Sequence, residues 1–305
     1  MGPADEMAGG ASGGRRGRRA LFLVNPRART GRSDLEPAEA ALRAGGIELV
    51  RENPGDLGDS IRRHAGQTDL VILGGGDGTV RSALDALVEV RLPLGILPLG
   101  TANNTARTLG IPTDLAEAAD VIAAGHTRRI DVGRVNDTHF LTTASVGLSV
   151  RITDRLSSAS KRRWGPLAYG VAAAQTLARL RPFSVTIRHD AGSRTLRAVQ
   201  VVVGNGRHYG AALTVAEDAE IDDALLDCYV IEAVPWWKLL RLLPALKRGR
   251  QGEKDEVRAI SSRAITLESP VPHRINADGE IIGRTPAEFG VVAGGLEVFV
   301  ATGTG

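Results

Sequence analysis

An apolar stretch, Leu70-Val71-Ile72-Leu73, runs directly into Gly74-Gly75-Gly76-Asp77-Gly78-Thr79, and the rest of the chain has to be arranged about that junction. A strand that stops in glycines and hands over to a helix near Val80 belongs to an α/β fold. Glycine tolerates φ > 0 and lets a bulky anion come within hydrogen-bond reach of backbone N–H groups. The helix N-terminus that follows adds unpaired donors and partial positive charge. An aspartate inside such a loop repels phosphate unless it acts through a cation or accepts a proton. The simplest reading is a nucleotide-phosphate loop with Asp77 working through Mg²⁺ or as a base; a turn built for geometry alone is the alternative. No Gly-Lys-Ser/Thr follows, so it is not a Walker loop. Counting G-x-G-x-x-G from Gly74 or Gly76 puts Thr79 or Arg81 where the last glycine of a dinucleotide fingerprint belongs.

Strand and helix patterns alternate around this loop. Ala20–Val24, Ile47–Val50, Leu70–Leu73 and Leu94–Leu97 read as strands, with helical patterns over Asp34–Ala44, Leu57–Gly66, Val80–Val90, Thr105–Leu109 and Leu115–Gly125. Repetition at roughly 25-residue intervals predicts a doubly wound parallel sheet, whose ligands bind beyond the carboxyl ends of the strands. Asn25, the glycine loop and Pro98–Asn104 all follow strand ends, so they should converge on one crevice. Thr101 and Asn103 in the last of these could donate to phosphate or ribose, or could simply cap the next helix.

Beyond Gly125 the pattern changes to strands joined mostly by turns: Ile130–Val135, Thr138–Thr143, Phe183–His189, Thr195–Gly204, Ala212–Val215, Leu225–Glu232, Ala264–Leu267, Arg274–Asn276 and Gly295–Ala301. Helical interruptions fall at Pro166–Leu180 and Pro235–Arg248. The expected organisation is a tail over 1–19, an α/β nucleotide-binding domain over 20–128, and a mainly antiparallel β-sandwich domain over 129–294. The last strand, 295–305, is expected to return to the first domain.

Charge and composition narrow the partners. The 305 residues carry a formal charge of only +3, and Arg15, Arg16, Arg18 and Arg19 sit in a glycine-rich tail, so the body is near neutral and no nucleic-acid partner is expected. Cys228 is the single cysteine, which excludes an intrachain disulfide and a cysteine-based zinc site. No run is long and apolar enough to span a bilayer, so the expectation is a cytoplasmic protein that meets membranes only at their surface. Trp236-Trp237-Lys238-Leu239-Leu240-Arg241-Leu242-Leu243 has the composition of a helix lying on anionic lipid, or of an ordinary helix with snorkelling basic residues. A homodimer is left open.

With these residues in view, the chain from Ala20 onward resembles the diacylglycerol kinase catalytic family, which includes bacterial lipid kinases and sphingosine and ceramide kinases. Asn25-Pro26 with Gly31, Gly75-Gly76-Asp77-Gly78-Thr79 and Leu99-Gly100-Thr101-Ala102-Asn103 resemble its nucleotide loops. Ala144-Ser145-Val146-Gly147, Asn205-Gly206…Tyr209-Gly210, Asp222–Asp227 and Asp278-Gly279-Glu280 resemble the motifs of its second domain. The resemblance implies transfer of the γ-phosphoryl group of ATP to a lipid hydroxyl with Mg²⁺, the acceptor being diacylglycerol, a sphingoid base or ceramide, or phosphatidylglycerol. It implies ATP binding by Gly74 to Thr79 and Thr101 with Asn25 and Asn103 alongside. It makes Glu280 the base, has Asp77 handle metal or share that role, and gives a structural Mg²⁺ to Asp223, the Leu225 carbonyl and Glu220. The chain departs from the pattern at Ala211, Glu217 and Ala224; Ala224 replaces a glycine, so a turn with φ > 0 there is strained. An NAD kinase, which shares Gly-Gly-Asp-Gly, and a nucleotide- or lipid-binding protein without turnover are the alternatives.

Overall fold

The computed structural model describes residues 17–25, 35–53, 55–148, 150, 181–205, 208–209, 213–214, 222–233 and 257–302. The tail up to 16, the helical patterns Pro166–Leu180 and Pro235–Arg248, the Trp236–Leu243 stretch and Glu220 lie outside the described residues.

The first half alternates as its pattern predicts: β1 (Arg18–Val24), α1 (Glu36–Ala44), β2 (Ile47–Glu52), α2 (Leu57–His64), β3 (Leu70–Gly75), α3 (Asp77–Val90), β4 (Leu94–Pro98), α4 (Asn104–Thr108) and α5 (Leu115–Ala124). Strands β2, β1, β3 and β4 lie side by side in that order, all parallel. Helices α1 and α5 pack together on one face, α2 and α3 on the other. Sandwiched between helical layers, β3 and β4 are buried along their whole lengths, which is why they read as unbroken apolar runs. Aspartates start two of the helices: Asp56 accepts from Asp59 N, and Asp114 from the N–H groups of Ala116 and Glu117.

The second half is built of β5 (Thr127–Val135), β6 (Thr138–Phe140), β7 (Thr143–Gly147), β8 (Phe183–His189), β9 (Gly192–Gly204), β10 (His208–Tyr209), β11 (Leu213–Thr214), β12 (Leu226–Glu232), β13 (Val257–Ser262), β14 (Ala264–Glu268), β15 (Arg274–Ala277), β16 (Glu280–Arg284) and β17 (Ala287–Phe299). These strands pair antiparallel, apart from the parallel contact of β17 with β4, in the path β16-β15-β7-β9-β8-β14-β17. The path folds over an apolar core that includes Val135, Phe140, Val146, Val185, Val201, Val230, Ile275 and Phe289. Cys228 is wholly buried in that core, and burial, with the Asp227 charge nearby, pushes its thiol up to about 12.

The two halves share one sheet. Strand β17 pairs with β14 and β5, and its far end reaches β4 at Val298 opposite Leu94. Its Ala287 and Phe289 belong to the second core, while Leu296, Val298 and Phe299 belong to the first. The expected last strand therefore begins at Ala287 rather than Gly295. Its apolar alternation is broken at Gly294, where φ is +57° and the register with β5 shifts.

Other departures from the sequence pattern also have local causes. Helix α3 starts at Asp77, not Val80, because the extended Gly76 (φ −102°, ψ −169°) already ends the strand. The expected strand Thr138–Thr143 is two, β6 and β7, broken at Leu141–Thr142 by hydrogen bonds to Asp278. Strands β13 and β16 carry too few large apolar residues to be read as strands, and pair along the sheet nonetheless.

Candidate active site

In the order β2-β1-β3-β4 the chain leaves β1 toward one edge and returns at β3 on the other side, so the ends of β1 and β3 flank a topological switch point. The glycine loop sits there. Asn25 donates its backbone N–H to the Gly74 carbonyl at 2.9 Å and its Nδ2 to Thr79 Oγ1 at 3.0 Å. Thr79 is buried, and a Cβ on Gly75 would collide with its side chain, so this glycine is required by close packing. Gly78 is exposed at the mouth, where an added Cβ would meet nothing within 4 Å.

The second loop closes against the first through glycine. A Cβ on Gly100 would lie 2.6 Å from the Gly76 Cα, so the two backbones meet without side chains between them. Asn103, in the left-handed region at φ +48°, organises this loop from within. Its Oδ1 accepts from Gly100 N at 2.9 Å, and its Nδ2 donates to the Gly100 and Pro98 carbonyls at 2.9 and 3.2 Å. What Asn103 offers a ligand is the shape of the loop, with Thr101 held exposed at its tip.

Asp77 joins the two loops. One carboxylate oxygen accepts from Asn104 N at 3.0 Å and the other from Thr105 N at 2.8 Å. The first residue of α3 thus caps α4, satisfying two donors that a short helix leaves open and placing negative charge at two helix N-termini.

Asp278 plays a matching part across the sheet. At φ +48° its carboxylate accepts from the N–H groups of Leu141, Thr142 and Thr143 at 2.6, 3.0 and 3.1 Å, and from Thr142 Oγ1 at 2.6 Å. Gly279 N donates to Asn276 Oδ1 at 3.1 Å. Glu280, next in the chain, is exposed at the start of β16. A line of contacts links this turn to the glycine loop. Asp85 of α3 accepts from the backbone N–H of His139 at 2.9 Å and contacts its ring Nδ1 at 2.8 Å, and β6 then runs into the turn that Asp278 caps. Burial raises the Asp85 carboxyl, but the hydrogen bonds from the ring and backbone of His139 and the charge of Arg81 outweigh it and hold the group below its usual range.

The expected metal turn lies on other elements. Arg128 of β5 grips Asp222 Oδ2 through Nε at 2.9 Å and Nη2 at 2.6 Å. Buried Asp131 accepts from Ala224 N at 2.6 Å and from Gly294 N at 2.7 Å, fastening the turn to the irregularity in β17. Ala224 does stand at φ +58°, so the strain expected of an alanine there is present. Asp223 Oδ1 accepts from Leu225 N at 2.9 Å. Among the described residues no three or more His, Cys, Asp or Glu side chains converge to hold a metal. Asp85, His139 and Asp131 carried no motif in the sequence; only their pairing in space marks them.

Known proteins match this architecture along nearly its whole length. Residues 19–135 match the diacylglycerol kinase catalytic domain, and residues 142–300 match the YegS C-terminal NAD kinase beta sandwich-like domain. A diacylglycerol kinase from Mycobacterium tuberculosis (strain ATCC 25618 / H37Rv) is 35% identical over 276 residues, covering 86% of this chain and 87% of that protein. One from Staphylococcus epidermidis (strain ATCC 12228 / FDA PCI 1200) is 27% identical over 271 residues, covering 87% and 86%. The crystal structure of a diacylglycerol kinase from Bacillus anthracis str. Sterne superposes with a TM-score of 0.78 at 26% identity, covering 93% of this chain and 98% of that one. A second structure from that organism gives a TM-score of 0.82 at 27% identity, covering 96% and 98%. Two facing glycine loops tied by one aspartate, joined to a β-sandwich with a late Asp-Gly-Glu turn and matched over both halves, place this chain in the diacylglycerol kinase family of lipid kinases.

Proposed function

We propose that the protein transfers the γ-phosphoryl group of ATP to the hydroxyl of a lipid, with diacylglycerol the first acceptor to test because the relatives bear that name. The observation that carries this reading is the Asp77 clamp. By capping α4 from the start of α3 it holds two backbone-lined loops face to face at the switch point. Phosphoryl transfer demands mostly positioning and charge stabilisation, which such a cradle of N–H groups supplies.

In the proposed step the lipid hydroxyl oxygen bonds to the γ-phosphorus, the bridging β–γ bond breaks with its electron pair leaving on ADP, and Glu280 takes the hydroxyl proton. Glu280 is exposed on a turn held rigidly through Asp278, whereas both oxygens of Asp77 are engaged by backbone N–H groups, so the base is Glu280 and Asp77 positions. Gly74, Gly75, Gly76, Gly78 and Thr101 contact the nucleotide; Asn25, Thr79 and Asn103 hold the loops. Hard oxygen donors fit Mg²⁺: Asp223 keeps Oδ2 uncommitted among the described residues, and the Leu225 carbonyl adds a neutral oxygen. Held by Asp223 and the Leu225 carbonyl, Mg²⁺ would neutralise negative charge and stiffen the turn. Ile281, next to Glu280 in the chain, is an exposed large apolar side chain at 38%. No helix among the described residues is long and apolar enough to cross a membrane.

Labelled γ-phosphate offered with a panel of lipids, and with NAD, tests this reading. A labelled lipid names the acceptor class; labelled NAD, or ATP binding with no product, overturns the proposal. Glu280→Gln should lower the maximal rate by roughly 10²-fold with little change in ATP affinity. A defect confined to ATP affinity would remove Glu280 as the base.

A further inference from the structure

At the far end of α3 from the glycine loop lies a cavity of about 190 Å³ that the proposed chemistry leaves unused. Helix α3 is 14 residues long, so this end stands roughly 20 Å from Asp77. Leu87 and Val88 of α3, with Leu92 just beyond it, form one wall, and Val292 and Leu296 of β17 form the other. Between Val292 and Leu296 lies the irregularity at Gly294, where the register with β5 shifts. An apolar cavity of roughly 150 Å³ already accepts benzene, so there is room here for a small organic molecule.

Charge on the lining gives the sign of that molecule. Arg91 and Arg129 both line the cavity, and both are exposed. Arg91 closes α3 in the left-handed region at φ +57°, where a glycine would sit without strain. Its guanidinium has no hydrogen bond or ion pair among the described residues. Arg129 Nη2 lies 3.7 Å from Glu297 Oε2, a long contact for an ion pair, while Glu297 Oε1 accepts from Thr127 Oγ1 at 2.6 Å. Two guanidinium groups against one carboxylate leave net positive charge, which also offsets the partial negative charge of the helix C-terminus.

We propose that this cavity binds a small amphiphilic anion, its carboxylate or phosphate held by Arg91 and Arg129 and its short apolar portion lying between α3 and β17. The planar guanidinium fork suits either head group. An occupant there braces α3 against β17, the strand that enters both cores. The site is separate from the nucleotide loops by the length of α3.

Calorimetric titration of the full chain with hexyl phosphate and with hexanoate, each below its micelle concentration, tests the proposal. Hexanol and inorganic phosphate supply the two parts of the ligand separately. One of the amphiphilic anions, or both, should bind with ATP present. Hexanol and inorganic phosphate should bind at least roughly tenfold more weakly, since each lacks either the charge contact or the buried chain. Arg91→Gln and Arg129→Gln change exposed side chains, and each should weaken the anion roughly ten- to hundredfold, the scale of one charge-assisted hydrogen bond, while ATP affinity stays that of wild type. Thermal unfolding of the same samples checks that the variants are folded. No binding of either amphiphile, displacement of it by ATP, or affinities unchanged in both arginine variants overturns the proposal. Inorganic phosphate that binds as tightly as hexyl phosphate also overturns it, since the apolar walls would then take no part.

Discussion

At the scale of single residues, Asp77 and Asp278 act as acceptors for backbone N–H groups. Asp77→Asn replaces one acceptor oxygen with a donor that must face the N–H of Asn104 or Thr105. The variant should lose turnover and also about 1–2 kcal/mol of stability, the usual worth of a helix cap. Urea unfolding checks this; an unchanged midpoint would show that α4 does not depend on the clamp. Asp85 makes a prediction in pH. Because its folded-state value is lowered, its contribution to stability is complete above the ordinary carboxylate range and is lost as pH falls through the lowered value. Asp85→Asn should therefore be least stable relative to wild type at neutral pH, with the difference shrinking below about pH 4. A difference constant from pH 7 to pH 3 would rule out the linkage.

At the scale of elements, one side chain can set a whole turn. Asp278 serves three backbone N–H groups and a hydroxyl between β6 and β7, while its own backbone leads to Glu280. Asp278→Ala should cost about 3 kcal/mol, since several part-buried donors lose their partner together. It should also reduce turnover more than the conservative Asp278→Asn, which keeps one acceptor oxygen. Denaturation and rate measured on the same samples decide it; full activity in the alanine variant would mean that the turn does not position Glu280.

At the scale of the whole molecule, the halves are not independent bodies joined by a linker. Strand β17 contributes Phe289 to one core and Leu296, Val298 and Phe299 to the other, and pairs with β4 at Val298. Residues 1–135 alone would leave the β4 edge bare and the first core short of these side chains, an arrangement prone to aggregation. The intact chain should unfold in one calorimetric transition, and the 1–135 fragment should fail to give a dispersed NMR spectrum. Two resolved transitions together with a folded fragment would show that the strand is dispensable.

The parallel half was legible from residue order because its signals are local. Apolar runs such as Leu70–Leu73 are buried on both faces, capping aspartates precede α2 and α5, and glycines stand where two loops touch. The antiparallel half was read less well, since strands such as β13 and β16 gain their hydrogen bonds from distant partners and carry little pattern of their own. Within the candidate site, sequence alone determined the glycine loops and singled out Asp77, because their spacing reflects a backbone shape set within a few residues, whereas Glu280 was marked by the family resemblance of Asp278-Gly279-Glu280. Only the tertiary structure decided that Asp77 caps α4, that Asn103 shapes its own loop, and that Asp278 mounts Glu280. Those outcomes depend on which N–H groups lie within about 3 Å of a carboxylate once remote strands have paired, and no local pattern encodes that distance.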